Sequence, residues 1–475
     1  MAQGNSIDPK TKIVVTLGPA SDSPELLREL LRAGLNVARI NTSHADPEAI
    51  VRQIRLLREA AAAENRVVGL LLDLAGPKIR VANIPPGGRT LVAGETLTLG
   101  PAAEADLQIR PAVGFKAVAD EAQVMLDDGR FRLEVLGHIS DTLLELKVIY
   151  GGLLTPNKGV NFPGVALDVP SVSEADKANL RLGLREGIDW VALSFVRSAS
   201  DREPIEAIFA EEGRRVPVMA KIEKPEAVED LAAIIDVFDG IMVARGDLGV
   251  EMALEQVPLI QKRIISACRA AGKPVITATQ LLDSMVTAPT PTRAEVNDVA
   301  NAIFDGTDAL MLSNETAVGK YPVEAVKTLH NVALATESSV LAQRRDGGQR
   351  AKVTVGTAIS HAACTIAREC GFPVIVTMTH SGVTARGVSR FRPAARIVAF
   401  SPSDQTCRQL QLVWGVFPLL VEEFTSTDEM IANAEKRLLD QGLIGTGEYF
   451  VFTAGVPIGI AGSTNLLKVQ QVGSE

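Results

Sequence analysis

The amino-acid sequence predicts an α/β protein whose main body is a (β/α)8 TIM barrel, and two observations support this. Short runs rich in Val, Ile and Leu alternate with helical stretches before residue 320, as expected for parallel strands buried on both faces. Polar residues recur where these runs end, and such barrels carry their chemistry at the carboxyl ends of the strands. The eight runs are IVVTLG (13–18), NVARIN (36–41), VVGLLLDL (67–74), DWVALSFV (189–196), PVMAKI (217–222), GIMVARG (240–246), PVITAT (274–279) and DALMLS (308–313).

The helices between these runs carry start and stop signals. In SPELLRELLRAG, Ser23 precedes Pro24, which is a hydroxyl cap followed by a first-turn proline, and Gly34 can end the helix in a left-handed conformation. A second capped helix is expected in SVSEADKANLRLGL (171–184), where the chain would return to the barrel after an insertion.

The segment between the third and fourth runs has a different sequence pattern. It contains short β-type runs such as TLVAGETLTLG, with turn signals at Pro85-Pro86-Gly87-Gly88 and Asp127-Asp128-Gly129. We expect an inserted small β-barrel lid domain over residues 81–168. Residues 1–80 and 169–345 would then form the main barrel.

A charged, glycine-bearing segment, AQRRDGGQRAK, follows the last barrel helix and is typical of a linker. Beyond it, the strand-like runs FPVIVTMT, ARIVAFS, FPLLV and EYFVFTAG alternate with helices. This alternation predicts a separate C-terminal α/β domain over residues 346–475.

The composition is that of an ordinary globular protein, with 46% hydrophobic and 22% charged residues. A net charge of -9 and only 4% aromatic residues argue against a nucleic-acid surface, and no apolar run is long enough to span a membrane. The four scattered cysteines suggest neither a zinc knot nor a disulfide framework. We therefore expect a cytoplasmic protein with no nucleic-acid or membrane partner.

Two neighbouring strand ends carry the strongest chemical signal. Lys221 and Glu223 are two residues apart in AKIEKPEAV, hence on the same side of an extended chain, and MVARGDLGVE supplies Asp247 on the next strand. Two carboxylates without nearby thiols suit a hard cation such as Mg²⁺, which keeps several waters and also takes substrate oxygens. Lys221 would stabilise developing negative charge. The alternative is a structural ion pair between Lys221 and Glu223.

Other groups at the strand ends could bind anions. No P-loop, dinucleotide or zincin signature is present. Arg39 and Arg80 lie on neighbouring predicted barrel ends and could bind phosphate, although each alone is more often a solvated charge. Gly246 permits close backbone approach, and the turn after it offers free amides to a carboxylate or phosphate.

At these residues the sequence resembles the pyruvate kinase family, and the resemblance runs through essentially the whole chain. Family members combine a barrel, a β lid inserted after the third strand and a C-terminal α/β effector domain, and they are usually homotetramers. The resemblance implies phosphoryl transfer from phosphoenolpyruvate to ADP, giving ATP and pyruvate in the final step of glycolysis. The motifs are NVARINTSH, LLDLAGPKIR, LDDG, NKGVNFPG, MAKIEKPEAVED, MVARGDLGVE, ATQLLDSM, PTRAEVNDVANAIFDGTDALMLSNETAVGKYP and THSGVTA.

Residue roles are implied by the same motifs. Lys221 would stabilise the transferring phosphoryl group and the enolate, while Glu223 and Asp247 would hold Mg²⁺, with Mn²⁺ as a possible substitute. The backbone amides of Gly246 and Asp247 would receive the substrate carboxylate, and Thr279 would border the face on which the enolate is protonated.

Phosphate binding is implied for a second set of residues. Arg39 would grip the phosphate of phosphoenolpyruvate, and the nucleotide would bring its own Mg²⁺. These roles agree with phosphoryl transfer, which depends on positioning and charge neutralisation. The implied nucleotide-binding residues are Asn41, His44, Arg80 and the lid residue Lys158.

One position of LLDLAGPKIR departs from the family pattern. Many members read Asp-Thr-Lys-Gly-Pro-Glu-Ile-Arg where this chain reads DLAGPKIR (73–80). In those members the Glu favours a bound K⁺, whereas Lys78 places an ammonium there, and one positive charge can replace another. Within the family, Lys at this position accompanies K⁺-independent activity, so we expect that K⁺ is not required. The groups of the vestigial K⁺ site would be Asn41, Ser43, Asp73 and the carbonyl of Leu74.

The last domain has a candidate effector loop. THSGVTA resembles the family's effector phosphate loop, in which hydroxyls and amides at a helix start hold an anion. The final loop, TAGVPIGIAGSTN (453–465), has no cation, so a sugar monophosphate, a nucleotide or no activator is expected rather than fructose bisphosphate. The effector-loop residues are Thr379, Ser381, Gly382 and Thr384.

Two other functions are compatible with parts of the pattern. A Mg²⁺-dependent lyase or aldolase acting on pyruvate or its enol would also pair two acids with an arginine, but the lid and Lys158 argue against it. A phospho-metabolite sensor built on an inactive kinase would be expected to lack some of Lys221, Glu223, Asp247 and Thr279, which are all present.

Overall fold

The computed structural model describes residues 8–43, 45–165, 167–341, 354–424, 426–457 and 464–473. Within these residues the strands are β1 (Lys12–Thr16), β2 (Val37–Asn41), β3 (Gly69–Asp73), β4 (Arg80–Val81), β5 (Arg89–Leu91), β6 (Thr96–Gly100), β7 (Leu107–Arg110), β8 (Gln123–Leu126), β9 (Phe131–Ser140), β10 (Leu143–Tyr150), β11 (Gly152–Leu154), β12 (Val160–Asn161), β13 (Trp190–Leu193), β14 (Val218–Ile222), β15 (Gly240–Ala244), β16 (Val275–Ala278), β17 (Ala309–Leu312), β18 (Val374–Met378), β19 (Arg396–Ser401), β20 (Val416–Leu420), β21 (Tyr449–Gly455) and β22 (Thr464–Gln471).

The helices within the described residues pack around the barrel and against the C-terminal sheet. They are α1 (Pro24–Ala33), α2 (Pro47–Ala63), α3 (Glu174–Glu186), α4 (Glu203–Glu212), α5 (Pro225–Glu229), α6 (Leu231–Val237), α7 (Arg245–Glu251), α8 (Val257–Ala271), α9 (Arg293–Asp305), α10 (Asn314–Ala317), α11 (Pro322–Leu341), α12 (Val355–Glu369), α13 (Val383–Ser389), α14 (Asp404–Leu410) and α15 (Thr427–Asp440).

Eight parallel strands close into a barrel in the order β1-β17-β16-β15-β14-β13-β3-β2. The predicted barrel is confirmed, and each of the eight apolar runs supplies one strand. Alternate residues point inward, so that Trp190, Met219, Met242 and Met311 fill the interior with less than 3% of their surface exposed. The residues between them pack against the surrounding helices, which explains why the strands read as continuous apolar runs.

The predicted helix signals are also found in place. The Ser23 hydroxyl accepts a hydrogen bond from the amide of Leu26 at the start of α1, and Gly34 ends that helix with φ of 120°. Helix α3 begins with a reciprocal capping box between Ser173 and Asp176. The strands all end at the same face of the barrel because every neighbouring pair is parallel.

The insertion after β3 forms a separate β structure with its own apolar core. A seven-stranded sheet runs in the order β12-β8-β9-β10-β6-β7-β4, beside a two-stranded sheet of β11 and β5. The two edges of the larger sheet meet through a bridge between Arg80 and Gly159. Phe115 and Phe162 pack together in its core, with ring centroids 5.5 Å apart. The insert thus begins and ends at the carboxyl-end face of the barrel.

The C-terminal residues form a five-stranded sheet in the order β20-β19-β18-β21-β22. The four predicted strands are confirmed, and β22 is an additional strand that pairs antiparallel with β21. The predicted linker, AQRRDGGQRAK, lies outside the described residues. The domain boundaries near residues 80, 168 and 345 stay predictions.

The C-terminal sheet docks on the amino-terminal face of the barrel, opposite the strand ends that carry the predicted site. Lys12, at the start of β1, donates from Nζ to the carbonyl of Val416 at 2.7 Å. Asp308, just before β17, forms a buried ion pair with Arg392 at 2.9 Å. In the described part of the chain, none of the helices has the length and apolar character needed to cross a membrane.

Candidate active site

The Lys221 ammonium lies at the centre of the predicted site, near the carboxyl end of β14. Its Nζ is 3.3 Å from Oδ1 of Asp73 and 3.0 Å from Oε1 of Glu223, and it donates to the Ser194 hydroxyl at 2.7 Å. Burial acts to lower the pKa of Lys221, but Asp73 and Glu223 outweigh it and the pKa is raised above its usual range. Lys221 is therefore a fixed positive charge at neutral pH.

Asp73 also holds Arg39, the second cation of the site. Arg39 donates from Nε to Oδ2 of Asp73 at 2.7 Å, and its Nη1 donates to the Thr16 hydroxyl at 3.0 Å. Burial would raise the pKa of Asp73, but Lys221 and Arg39 together lower it below its usual range. One carboxylate thus orients two cations toward the same mouth of the barrel.

Glu223 and Asp247 are the two acidic groups of this face. Oε2 of Glu223 accepts a hydrogen bond from the amide of Phe195 at 2.7 Å, whereas the partner of the buried Oε1, among the described residues, is the ammonium of Lys221 in an ion pair. Burial raises the pKa of Glu223, Lys221 opposes that effect, and the neighbouring Asp247 adds to it. The two carboxylates are therefore close enough to repel each other.

This pair of acids fits a divalent cation of the Mg²⁺ type. Oε1 of Glu223 is buried with Lys221 as its ion-pair partner, and the like charge of Asp247 lies nearby, so a positive ion between the two carboxylates would be stabilised. Within the described residues there is no cluster of three or more His, Cys, Asp or Glu side chains that could hold a metal without help. A metal here would depend on water and substrate oxygens for its remaining ligands, as Mg²⁺ usually does in proteins.

Thr279 follows β16 and faces the first turn of α7. Its hydroxyl accepts from the amide of Gly246 at 2.8 Å and donates to the carbonyl of Ala278 at 2.6 Å. Its backbone has a φ of 68°, which is rare for a β-branched residue and indicates that the surroundings impose the conformation. Arg245 supports this turn, because it donates from Nη2 to the carbonyl of Thr279 at 2.7 Å while its Nη1 pairs with Asp298.

The predicted nucleotide-binding groups lie where the insert joins the barrel. Arg80 donates from Nη1 to the carbonyl of Asn157 at 2.9 Å, and Lys158 pairs with Asp127 at 2.7 Å between their Nζ and Oδ1 atoms. Asn41 accepts from the amide of Ser43 at 3.1 Å, and His44 lies outside the described residues. Arg80 and Lys158 therefore border the same junction.

The ammonium of Lys78 lies between two carboxylates, those of Asp247 and Asp128. Its Nζ is 3.2 Å from Oδ1 of Asp247 and 3.7 Å from Oδ1 of Asp128, which belongs to the insert. A Cβ on Gly159 would come within 2.9 Å of Lys78 Cε, so this glycine makes room for the lysine chain. Lys78 thus connects the barrel with the insert at the edge of the site.

The groups predicted for a vestigial K⁺ site are close to one another. Asn41 lies opposite Asp73 in the register of β2 and β3, and the carbonyl of Leu74 accepts from the Ser194 hydroxyl at 2.7 Å. The Asp73 carboxylate is already engaged by Arg39 and Lys221.

Comparison with known families gives this arrangement its context. Residues 8–326 match the family model described as pyruvate kinase, barrel domain, and residues 357–470 match the one described as pyruvate kinase, alpha/beta domain. The chain belongs to the pyruvate kinase family. It is 46% identical to pyruvate kinase 2 of Synechocystis sp. over 99% of this chain and 80% of the relative. It is 45% identical to the pyruvate kinase of Geobacillus stearothermophilus, over 98% of this chain and 80% of that relative.

The family assignment confirms the resemblance read from the sequence motifs. As a pyruvate kinase homologue matched over nearly its full length, the chain is a phosphotransferase. The pyruvate kinase of Staphylococcus aureus is also similar, at 41% identity over 98% of this chain.

The candidate effector loop lies in the part that matches the pyruvate kinase alpha/beta domain. The Thr379 hydroxyl accepts from the amide of Gly382 at 2.9 Å, and Gly382 has a φ of 78°. Thr384 shares a 2.7 Å hydrogen bond with Thr464, and the Ser381 carbonyl accepts from Arg386. Residues 458–463 of the facing loop lie outside the described residues.

Several partners of the pyruvate kinase site were not predicted as site residues. The Ser194 hydroxyl accepts a hydrogen bond from the Lys221 ammonium. Asp298 forms an ion pair with Arg245, and Asp128 forms one with Lys78. Ser194 is one of the polar residues at the strand ends, at the end of the fourth barrel run, but that position alone predicts no role for it. Asp298 lies inside a helix and Asp128 in a turn, and in neither case do the neighbouring residues in the sequence identify the distant cation that the acid pairs with.

Proposed function

We propose that the protein catalyses Mg²⁺-dependent transfer of the phosphoryl group of phosphoenolpyruvate to ADP, giving ATP and pyruvate, as the last step of glycolysis in the cytoplasm. One observation carries the proposal: a buried, permanently charged Lys221 lies between Asp73 and Glu223, with Arg39 bound to the same Asp73. Phosphoryl transfer needs preorganised positive charge rather than a covalent catalyst.

In this proposal the chain's own groups orient the phosphoryl donor. Arg39 binds the phosphate, and Lys221 neutralises charge on the bridging oxygen and the transferring group. Asp247 presents its backbone amide to the carboxylate, whereas the Gly246 amide, which the motif also implied for this role, donates to the Thr279 hydroxyl at 2.8 Å. Glu223 and Asp247 would hold Mg²⁺, which would supply further neutralisation of the negative charge on the substrate.

The reaction itself is a displacement at phosphorus. A terminal phosphate oxygen of ADP forms a bond to the phosphorus of phosphoenolpyruvate while the bond to the enol oxygen breaks. The leaving enolate then takes a proton at carbon to become pyruvate, on the face bordered by the Thr279 hydroxyl. Arg80, Lys158, Asn41 and His44 would hold the nucleotide, which brings its own Mg²⁺.

We further propose that activity does not require K⁺. The support is the ammonium of Lys78, which lies 3.2 Å from Asp247 at the edge of the site and supplies a covalently attached positive charge. Asn41, Ser43, Asp73 and the carbonyl of Leu74 would be the remnant of a monovalent-cation site.

Assembly and regulation are proposed from the family alone. We propose a homotetramer, and for the loop of Thr379, Ser381, Gly382 and Thr384 the alternatives stay a sugar monophosphate, a nucleotide or no activator. The hydrogen bond from Gly382 to Thr379 supports a preformed loop, but most of the facing loop is outside the described residues.

A coupled assay for pyruvate tests the reaction. Pyruvate should form from phosphoenolpyruvate only when both Mg²⁺ and ADP are present. Pyruvate formation without ADP would indicate a lyase or phosphatase, and no pyruvate under any condition would indicate a sensor. Either result overturns the proposal.

A further inference from the structure

A second buried charge cluster lies beside the catalytic one and has no role in the proposed chemistry. Oε1 of Glu251 accepts from the Asn161 side-chain amide at 2.8 Å and pairs with Nζ of Lys224 at 2.6 Å. The Glu251 side chain is only 1% exposed, and its other oxygen has no hydrogen bond within the described residues. A single carboxylate oxygen therefore holds two separate segments of the chain.

The three residues come from three different segments of the chain. Asn161 is in β12, the last strand of the lid, which pairs with β8 through Met125. Lys224 directly follows Glu223, and Glu251 ends α7, whose first turn carries Asp247. The cluster thus ties the lid's return strand to both segments that bear the proposed metal carboxylates.

The returning connection of the lid is fixed to the barrel from Asn161 onward, because Arg197 also donates to the carbonyls of Leu167 and Val169 at 3.1 and 2.9 Å. Val160 donates to the carbonyl of Ile79 at 2.9 Å, so the outgoing and returning connections are joined next to Asn161. A cavity of about 60 Å³ lies under both connections, bounded by Ile79, Phe162 and Phe195. The lid strands that precede Asn161 are the part that can turn about this fixed point.

The energetics make Glu251 the strongest element of this anchor. A buried carboxylate that loses its ammonium partner is left as an uncompensated charge, and a hydrogen bond to a charged group is stronger than one between neutral groups. Asn161 is the residue by which the lid joins the cluster, because both members of the Lys224–Glu251 ion pair belong to the barrel.

We propose that Glu251 is a positioning residue that forms the pivot of the lid, holding Asn161 in place and coupling the lid's orientation to the segments of Glu223 and Asp247. Its kinetic consequences rest on the proposed function. The pivot sets where Lys158, three residues before Asn161, meets the nucleotide. Lys221 and Arg39, which would hold the transferring phosphoryl group, have no contact with this cluster among the described residues.

Asn161→Ala is the first test, because it removes the lid's donor and leaves the buried ion pair intact. We expect amide hydrogen exchange in β8 to accelerate about tenfold, KM for ADP to rise about tenfold and kcat to change less than about threefold. Mn²⁺ affinity, measured by electron paramagnetic resonance on the otherwise unliganded protein, should be unchanged.

Glu251→Gln is the second test, with Glu337→Gln as its control. Glu337 is also a buried carboxylate, but it accepts from Thr11 at the opposite face of the barrel. Glu251→Gln should show the same lid effects and also weaken Mn²⁺ binding about threefold or more, since it frees Lys224 beside Glu223. Glu337→Gln should lower the melting temperature without these changes.

The outcome that overturns the pivot is specific. If Glu251→Gln and Asn161→Ala lower the melting temperature as Glu337→Gln does, but leave β8 exchange and the KM for ADP unchanged, the cluster is only a structural ion pair. The exchange and Mn²⁺ measurements need no catalysis, so they test the pivot even if the wild-type protein makes no pyruvate.

Discussion

Lys221 and Asp73 lie 3.3 Å apart at the barrel mouth, although β13 separates their strands. The contact crosses the end of the intervening strand, where Ser194 bonds to both the Lys221 ammonium and the carbonyl of Leu74. Three strands therefore position one positive charge, and the consequences of disturbing it can be predicted.

Lys221→Met should reduce kcat by about a thousandfold or more, because a preorganised charge at the transferring group is lost. The KM for ADP should change little, since Lys158 and Arg80 are untouched. Steady-state kinetics with both substrates measures this, and circular dichroism checks the fold. A variant that retains a tenth of wild-type kcat would remove Lys221 from the proposed mechanism.

Thr279→Ser keeps the hydroxyl that accepts from Gly246, whereas Thr279→Val keeps the shape and loses it. We expect Thr279→Ser to retain activity within about threefold and Thr279→Val to lose about a hundredfold in kcat. The exchange of methyl protons of pyruvate with deuterated water should fall in parallel. Equal activity of the two variants would show that the hydroxyl has no part in enolate protonation.

Lys12 makes stability depend on pH in the alkaline range. Burial lowers the pKa of Lys12 from 10.5 to about 8, although Asp8 and Glu337 oppose the shift. Below about pH 8 the folded protein carries the full cost of a buried ammonium. Between about pH 8 and 10.5 the unfolded chain binds more protons than the folded one, so stability rises with pH.

The comparison with Lys12→Met isolates this effect. From pH 8 to 10, unfolding in urea should show the wild type gaining up to about 3 kcal/mol relative to the variant. Because the Lys12 Nζ donates to the carbonyl of Val416, we expect this gain in the free energy of unfolding to come from the contact between the C-terminal sheet and the barrel. A pH-independent difference between the two proteins would contradict the lowered pKa.

Lys78→Glu should convert the enzyme to K⁺ dependence. The change removes the charge beside Asp247 and adds a third acid near Asp128 and Asp247, which a monovalent cation can offset. We expect the rate in a tetramethylammonium buffer to fall about tenfold or more and to recover on addition of K⁺. Lys78→Met is the matched control, because it loses the charge without adding an acid.

Much of the fold was predictable because the barrel strands are buried on both faces and leave unbroken apolar runs. Strand β22 was missed for the opposite reason, since it is an edge strand whose Leu467, Lys468 and Val469 are at least partly exposed. Within the site, Lys221 and Glu223 were predictable as a pair because both belong to one extended segment.

Contacts between distant segments could not be predicted in the same way. The pairing of Arg245 with Asp298 and that of Lys78 with Asp247 depend on how strands and helices are arranged in space. The cluster of Asn161, Lys224 and Glu251 joins the lid to the barrel and leaves no spacing pattern in the sequence.

Phosphorus nuclear magnetic resonance of one reaction mixture tests the central claim most directly. The mixture contains phosphoenolpyruvate, ADP, Mg²⁺ and the protein, with tetramethylammonium as the only monovalent cation until K⁺ is added midway. We predict that the phosphoenolpyruvate signal falls as the γ-phosphate signal of ATP rises one for one, and that K⁺ changes the rate by less than about twofold. Growth of inorganic phosphate instead of ATP, or no reaction before K⁺ is added, would contradict the account.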